Sequence, residues 1–206
     1  MCDLPRPHLL SLKAQMNSNL RSLCSKEGSK TRWYPVSIES WENALADYKV
    51  AGAPLIPELD LRKNLAYNLQ FVQYLQQTLN ELNLSSVLVT QTYKSYVIFA
   101  GGIVESLLFF LNRSTGGRDK KFKNVIGRLK DGSLLGADPL IYSELDWVRL
   151  MRNKVHLQEL KDDLGTDYTA FNNVDFERMK KILKSMMSTP ALGAPSTVIS
   201  QLGFLD

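Results

Sequence analysis

Within eight residues the chain gathers Arg149, Arg152, Asn153 and His156, the only histidine outside the amino-terminal arm. If this stretch is helical, at about 100° per residue Arg152, His156, Arg149, Asn153 and Asp146 share an arc of about 120°. Trp147, Val148, Leu150, Met151 and Val155 are then expected on the opposite side. Such a polar stripe combines fixed positive charge, an imidazole that titrates near neutrality and a carboxamide able to orient either one. That combination suits phosphodiester chemistry.

The element that must carry the stripe has a clear start. Asp138 followed by Pro139 reads as an N-cap and first helical residue, so the spacing predicts a helix over residues 139–160. Upstream, Leu61, Leu65, Leu69, Val72, Leu75, Leu79 and Leu82 step by fours and threes behind Asp60 as the expected N-cap. Val89, Tyr93, Tyr96, Ala100, Ile103, Leu107 and Phe110 repeat the pattern. Two long helices joined by a tight connection are expected to pack antiparallel, with Ala100, Gly101 and Gly102 letting another backbone approach. A short helix over residues 122–129 and another over 174–187, capped by Asn173, complete the pattern. A shorter one near residues 40–49 and a possible one at 9–24 precede the hairpin. Strand signals are scarce. The expected fold is all-α, a bundle of about five to seven helices built on the long hairpin. Residues 1–59 are read as an arm with short helices, 60–188 as the bundle, and 189–206 as a tail whose Val198, Ile199, Leu202, Phe204 and Leu205 can dock.

These motifs resemble the HEPN superfamily, helical domains whose active members are metal-independent ribonucleases with an arginine, a polar residue and a histidine on a late helix. Arg152, Asn153 and His156 carry that likeness, and residues 94–108, with Gly101-Gly102 and Glu105 before Leu107-Leu108, are similar to the earlier core helix. The usual pattern leaves four to six residues between arginine and histidine, and three stand here. The resemblance implies that His156, Arg152 and Asn153 are catalytic and that RNA is cleaved to a 2′,3′-cyclic phosphate, with Arg149 as a second phosphate contact. It further implies a homodimer acting as a toxin or defence effector with an antitoxin-like protein partner. A second expectation uses the same residues without chemistry. In that reading Asp146 and Glu159 neutralise Arg149 and Arg152, Glu105 pairs with Arg149, Arg152 or Lys94 as structural support, and the chain is a helical module binding a partner protein or nucleotide.

Composition narrows the classes. Twenty-five basic against 21 acidic residues give +4, a mild excess, but residues 113–130 hold seven basic side chains against the single acid Asp119. Arg118, Lys120 and Lys121 in that segment are the expected RNA-guiding edge. Cys2 and Cys24 supply neither a disulfide framework nor a zinc site, and one histidine beside acids lacks zinc-hydrolase spacing, so no metal and no cofactor is expected. The amino terminus does not read as a secretory signal, and the most apolar run, residues 96–111, is short of the roughly 20 residues needed to span a bilayer. A cytosolic protein without membrane contact is the expectation.

Overall fold

The structure is a computed structural model that describes residue 15 and residues 36–154 and 171–205. The chain divides into two units, residues 1–35 and 36–206. The first holds a single described residue, so the expected helix over 9–24 lies outside the described residues apart from the helical Gln15. His8, Cys2 and Cys24 lie outside them as well.

The second unit is all-α, with seven α-helices among the described residues. Helix α1, Ile38–Ala46, begins before the expected position because Ser37 caps it, its hydroxyl accepting from the Ser40 N–H at 3.1 Å. A two-residue hairpin follows, β1 Lys49–Val50 antiparallel to β2 Ala53–Pro54. The long hairpin is α2, Leu59–Glu81, and α3, Ser86–Ser114. Its N-cap is Glu58 rather than Asp60; Asp60 lies in the first turn, where its charge favours the helix dipole. Then come α4, Phe122–Asp131; α5, Pro139–Asn153; and α6, Asn173–Ser188. Asp138 caps α5 with Pro139 at its start, as the sequence predicts, and its side chain accepts from the Leu140 N–H at 2.9 Å.

The cap of α6 is Asn172, one residue before the expected Asn173. The Asn172 carboxamide accepts from Val174 and Asp175, and the Asp175 side chain accepts from the Asn172 N–H, a reciprocal arrangement open only to that register. The carboxy-terminal segment forms a 3-10 turn at Pro190–Leu192, helix α7 at Ser196–Gln201 and a second 3-10 turn at Leu202–Leu205. Gly193, at φ 67, lets this segment turn against the β1 backbone, where a Cβ would collide with the Lys49 carbonyl.

One core joins these elements. Leu65, Leu69 and Val72 of α2 meet Ile103, Val104 and Leu107 of α3, and α6 contributes Met179, Leu183 and Met187. Phe176 sets its ring edge-on to Tyr96 at 4.6 Å. Trp41, Leu45 and Tyr48 belong to the same core, so residues 36–59 are built into the bundle. Val198, Leu202 and Leu205 show that the expected docking of the tail occurs. Helix α3 runs 29 residues, well beyond the apolar stretch expected from sequence. By length and composition it could cross a membrane, and 61% of its most apolar 18-residue window is buried inside the bundle.

Candidate functional site

Helix α5 presents the described half of the polar stripe, and two contacts fix its orientation. At its start the Tyr142 hydroxyl accepts from the Leu135 N–H and lies 2.9 Å from the Gly136 carbonyl, pinning the preceding loop. Along its length Glu144 receives a two-pronged contact from Arg178 of α6, at 2.7 and 2.9 Å, while the same guanidinium lies 4.4 Å over the Trp147 ring. The stripe helix is therefore clamped to α6.

On this helix Arg152 departs from the expected two-sided pattern. Leu145, Val148 and Met151 are buried, and Arg152, four residues beyond Val148, continues their face toward α3. Its aliphatic stem crosses Gly101: a Cβ there would sit 3.1 Å from the Arg152 Cδ and 3.3 Å from a Val148 methyl. One turn farther along α3, Glu105 forms an ion pair with the Arg152 Nη1. Both side chains are partly covered, 34% and 22% exposed, and desolvation draws the Arg152 pKa below the usual arginine value. The close approach expected of Ala100, Gly101 and Gly102 thus rests on Gly101; Gly102 has open space where a side chain would be. Leu150, expected on the buried side, is 48% exposed because the inward arc is centred on Val148.

The remaining members occupy distinct environments. Arg149 donates from Nε to the Asp146 carboxylate at 2.7 Å, a contact within one turn. Asn153 is exposed at the last helical position, and Lys154 closes the helix. His156, with Glu159 and the remainder of the expected helix over 155–160, lies outside the described residues. The structure accordingly brings Arg152 and Glu105 together and pairs Arg149 with Asp146.

The basic segment separates into structural and exposed cations. Arg128 is committed to the carboxyl end of α3, donating to the Asn112 side chain at 3.0 Å, the Thr115 hydroxyl at 3.0 Å and the Thr115 carbonyl at 2.6 Å. Arg113 pairs with Glu58 at 2.9 Å, and that hydrogen bond holds the Glu58 carboxyl below its ordinary value. Arg118, Lys120 and Lys121 are exposed, as is Lys123. Arg118 and Asp119 border a hollow of about 270 Å³ walled by Phe109 and Phe110. A larger groove of about 440 Å³, which sequence reasoning did not foresee, runs between α5 and α6 past Leu140, Ile141, Glu144 and Lys181. Among the described residues no group of three or more His, Cys, Asp and Glu side chains is arranged to hold a metal ion.

Compared with known proteins, the chain matches no family model, no curated protein and no solved structure.

Proposed function

We propose that the chain is a HEPN-like ribonuclease in which Arg152 binds the scissile phosphate and His156 transfers the proton, without a metal ion. The observation that carries this reading is the seating of Arg152. Glu105 and Gly101 hold its guanidinium at the end of α5, beside the exposed Asn153 and four residues before His156. A guanidinium has five N–H donors and a carboxylate engages at most two, so a fixed, partly desolvated arginine retains donors for a phosphate oxygen. Charge held in place before the reaction is what stabilises a phosphorane-like transition state. His156 withdraws the ribose 2′-hydroxyl proton, the 2′-oxygen attacks phosphorus and the bond from phosphorus to the 5′-oxygen breaks, giving a 2′,3′-cyclic phosphate and a 5′-hydroxyl that takes its proton from solvent. Arg118, Lys120 and Lys121 guide the strand by charge, in a protein of the cytosol that acts as a toxin or defence effector.

A specific observation favours a second reading. Both described arginines of the stripe already face carboxylates, Arg149 with Asp146 and Arg152 with Glu105, which makes the stripe an internal ionic network of a non-catalytic helical module. Incubating wild type, His156→Ala and Arg152→Ala with end-labelled RNA in excess EDTA separates the two. Cyclic phosphate ends produced by wild type and lost in both variants, with unchanged helical content, are the expected result. Intact RNA with folded wild type across varied substrates rejects the nuclease in favour of the module.

A further inference from the structure

Along α3 one row of residues at steps of four leads from the Arg152 contact to an open hollow. Gly101 underlies the Arg152 stem, Glu105 meets its guanidinium, and Phe109 walls the hollow of about 270 Å³ at the carboxyl end of the helix. The Arg152 side chain therefore runs along α3 toward that hollow. Phe109 stands one turn beyond Glu105, about 6 Å farther along the axis. It is partly exposed and packs on Phe122 of α4, with ring centroids 6.3 Å apart. Phe110 beside it carries the Arg113 guanidinium 5.6 Å from its ring centre.

The same hollow is bordered by an acid in a basic loop. Asp119 is the single acid of residues 113–130, and Arg118, Lys120 and Lys121 flank it in solvent. Arg113 and Arg128 are committed elsewhere, the first to Glu58 and the second to Asn112 and Thr115. Among the described residues the Asp119 carboxylate has no hydrogen-bond or ion-pair partner. Its loop is held at both ends: the Gly117 N–H donates to the Asn112 carbonyl at 2.7 Å, and the Val125 N–H donates to that of Lys121 at 3.1 Å. Gly117 packs so closely on the Asn112 side chain that a Cβ would collide with it. Asp119 is thus set beside the aromatic wall before any ligand arrives, which spares the cost of ordering it on binding.

We infer that the hollow is a guanine-binding subsite for single-stranded RNA, next to the phosphate that Arg152 holds. This rests on the reading of the chain as an RNA enzyme. Proteins capture the bases of single-stranded RNA by stacking them on aromatic rings and by hydrogen bonds to their Watson–Crick edges. The volume of about 270 Å³ lies just below the ~300 Å³ at which sites for whole small molecules begin, so it suits one planar base with its ribose and phosphate outside. The acid selects the base. An ionised carboxylate only accepts hydrogen bonds, through two oxygens side by side. Guanine alone among the four bases presents two adjacent donors there, N1–H and the 2-amino group; adenine, cytosine and uracil each set an acceptor beside their donor, and it would face the second oxygen. Among seven cations, an acid would oppose the binding of phosphate, whereas a base edge rich in donors gives it a partner. Arg118, Lys120 and Lys121 then take the neighbouring phosphates, and the single turn of α3 between Glu105 and Phe109 matches the reach of one nucleotide.

Fluorescence anisotropy on the full chain tests the subsite, with labelled 2′-O-methyl oligouridylates that cannot be cleaved and that carry one central guanosine, inosine or adenosine. Inosine lacks only the 2-amino group of guanosine. Wild type is expected to bind the guanosine oligomer about 10-fold more tightly than either of the others, the scale of base discrimination by a two-pronged contact. Asp119→Asn should bring the guanosine-to-inosine ratio near one without weakening plain oligouridylate; an acid acting through charge alone would move all oligomers together and leave the ratio. Phe109→Leu, with unchanged circular dichroism, should weaken all three by about 10-fold through lost stacking. Should Phe109→Leu unfold, Asp119→Asn in its solvent-facing loop still decides. A ratio near one in wild type, a ratio kept by Asp119→Asn, or undiminished binding by folded Phe109→Leu overturns the inference, as does folded wild type that binds none of the oligomers. The cleavage assay reads separately: guanosine preference without cleavage rejects the nuclease alone, and cleavage without any base preference in binding rejects the subsite alone.

Discussion

Removing either partner of the Arg152–Glu105 pair should destabilise the bundle by an amount that its partial burial sets. An exposed ion pair contributes about 0 to 1 kcal/mol, and breaking a fully buried one costs about 3 to 5 kcal/mol. At 34% and 22% side-chain exposure this pair lies between those limits. Glu105→Ala is therefore expected to cost about 2 kcal/mol, or a fall in melting temperature of about 5 °C for a unit of this size. Arg152→Ala loses the pair and, in addition, the packing of its stem over Gly101, so its total cost exceeds that of Glu105→Ala. A double-mutant cycle removes that extra contribution. Glu105→Ala, Arg152→Ala and the double variant, compared by urea denaturation, should give a coupling of about 1 to 2 kcal/mol. Most of it should survive in about 1 M salt, because partial burial limits screening. Additivity within about 0.3 kcal/mol would refute the reasoning, since the two side chains would then not depend on each other at all. Gly101→Leu offers an independent check: it places atoms where the Arg152 stem lies and should reduce the same coupling while costing about 1 to 3 kcal/mol by overpacking.

Two further outcomes are expected. Arg128→Met should destabilise by about 2 kcal/mol in thermal or urea unfolding, because its guanidinium caps the end of α3 through Asn112 and Thr115, whereas Lys123→Met on the exposed side of α4 should stay within about 0.5 kcal/mol; equal effects would show that Arg128 is an ordinary surface cation. Burial raises the pKa of Tyr48 and Tyr96 above the ordinary 10.0, so the stability each contributes is complete below about pH 10 and is lost as pH rises from there through the folded value. Ultraviolet titration should find both phenols un-ionised in native protein at a pH where urea-unfolded protein is largely ionised, and coincident native and unfolded titrations would contradict their burial.

The main helices of the bundle, their order and the cap of α5 were legible in the chain because they depend on neighbours within a few residues. Asp138 and Pro139 start α5 by local hydrogen bonding and backbone preference, and the three-and-four spacing of apolar residues marks the inward faces of α2 and α3. The one-residue error at Asn172 arises where two consecutive asparagines compete and the side chain of Asp175 decides. Which way the charged residues turn was not legible. Arg152 belongs to the polar arc by helical geometry, yet it joins the buried face of Val148 because Gly101, on another helix, lacks the atom that would block it. Arg128 counts as one more cation in a basic run, yet its acceptors are 13 and 16 residues away and close the end of α3. Local periodicity determines where a helix forms and which arc is apolar; only the packed neighbours decide which charges are neutralised and which remain in solvent. Those outcomes depend on contacts between residues far apart in sequence, which no spacing along the chain encodes.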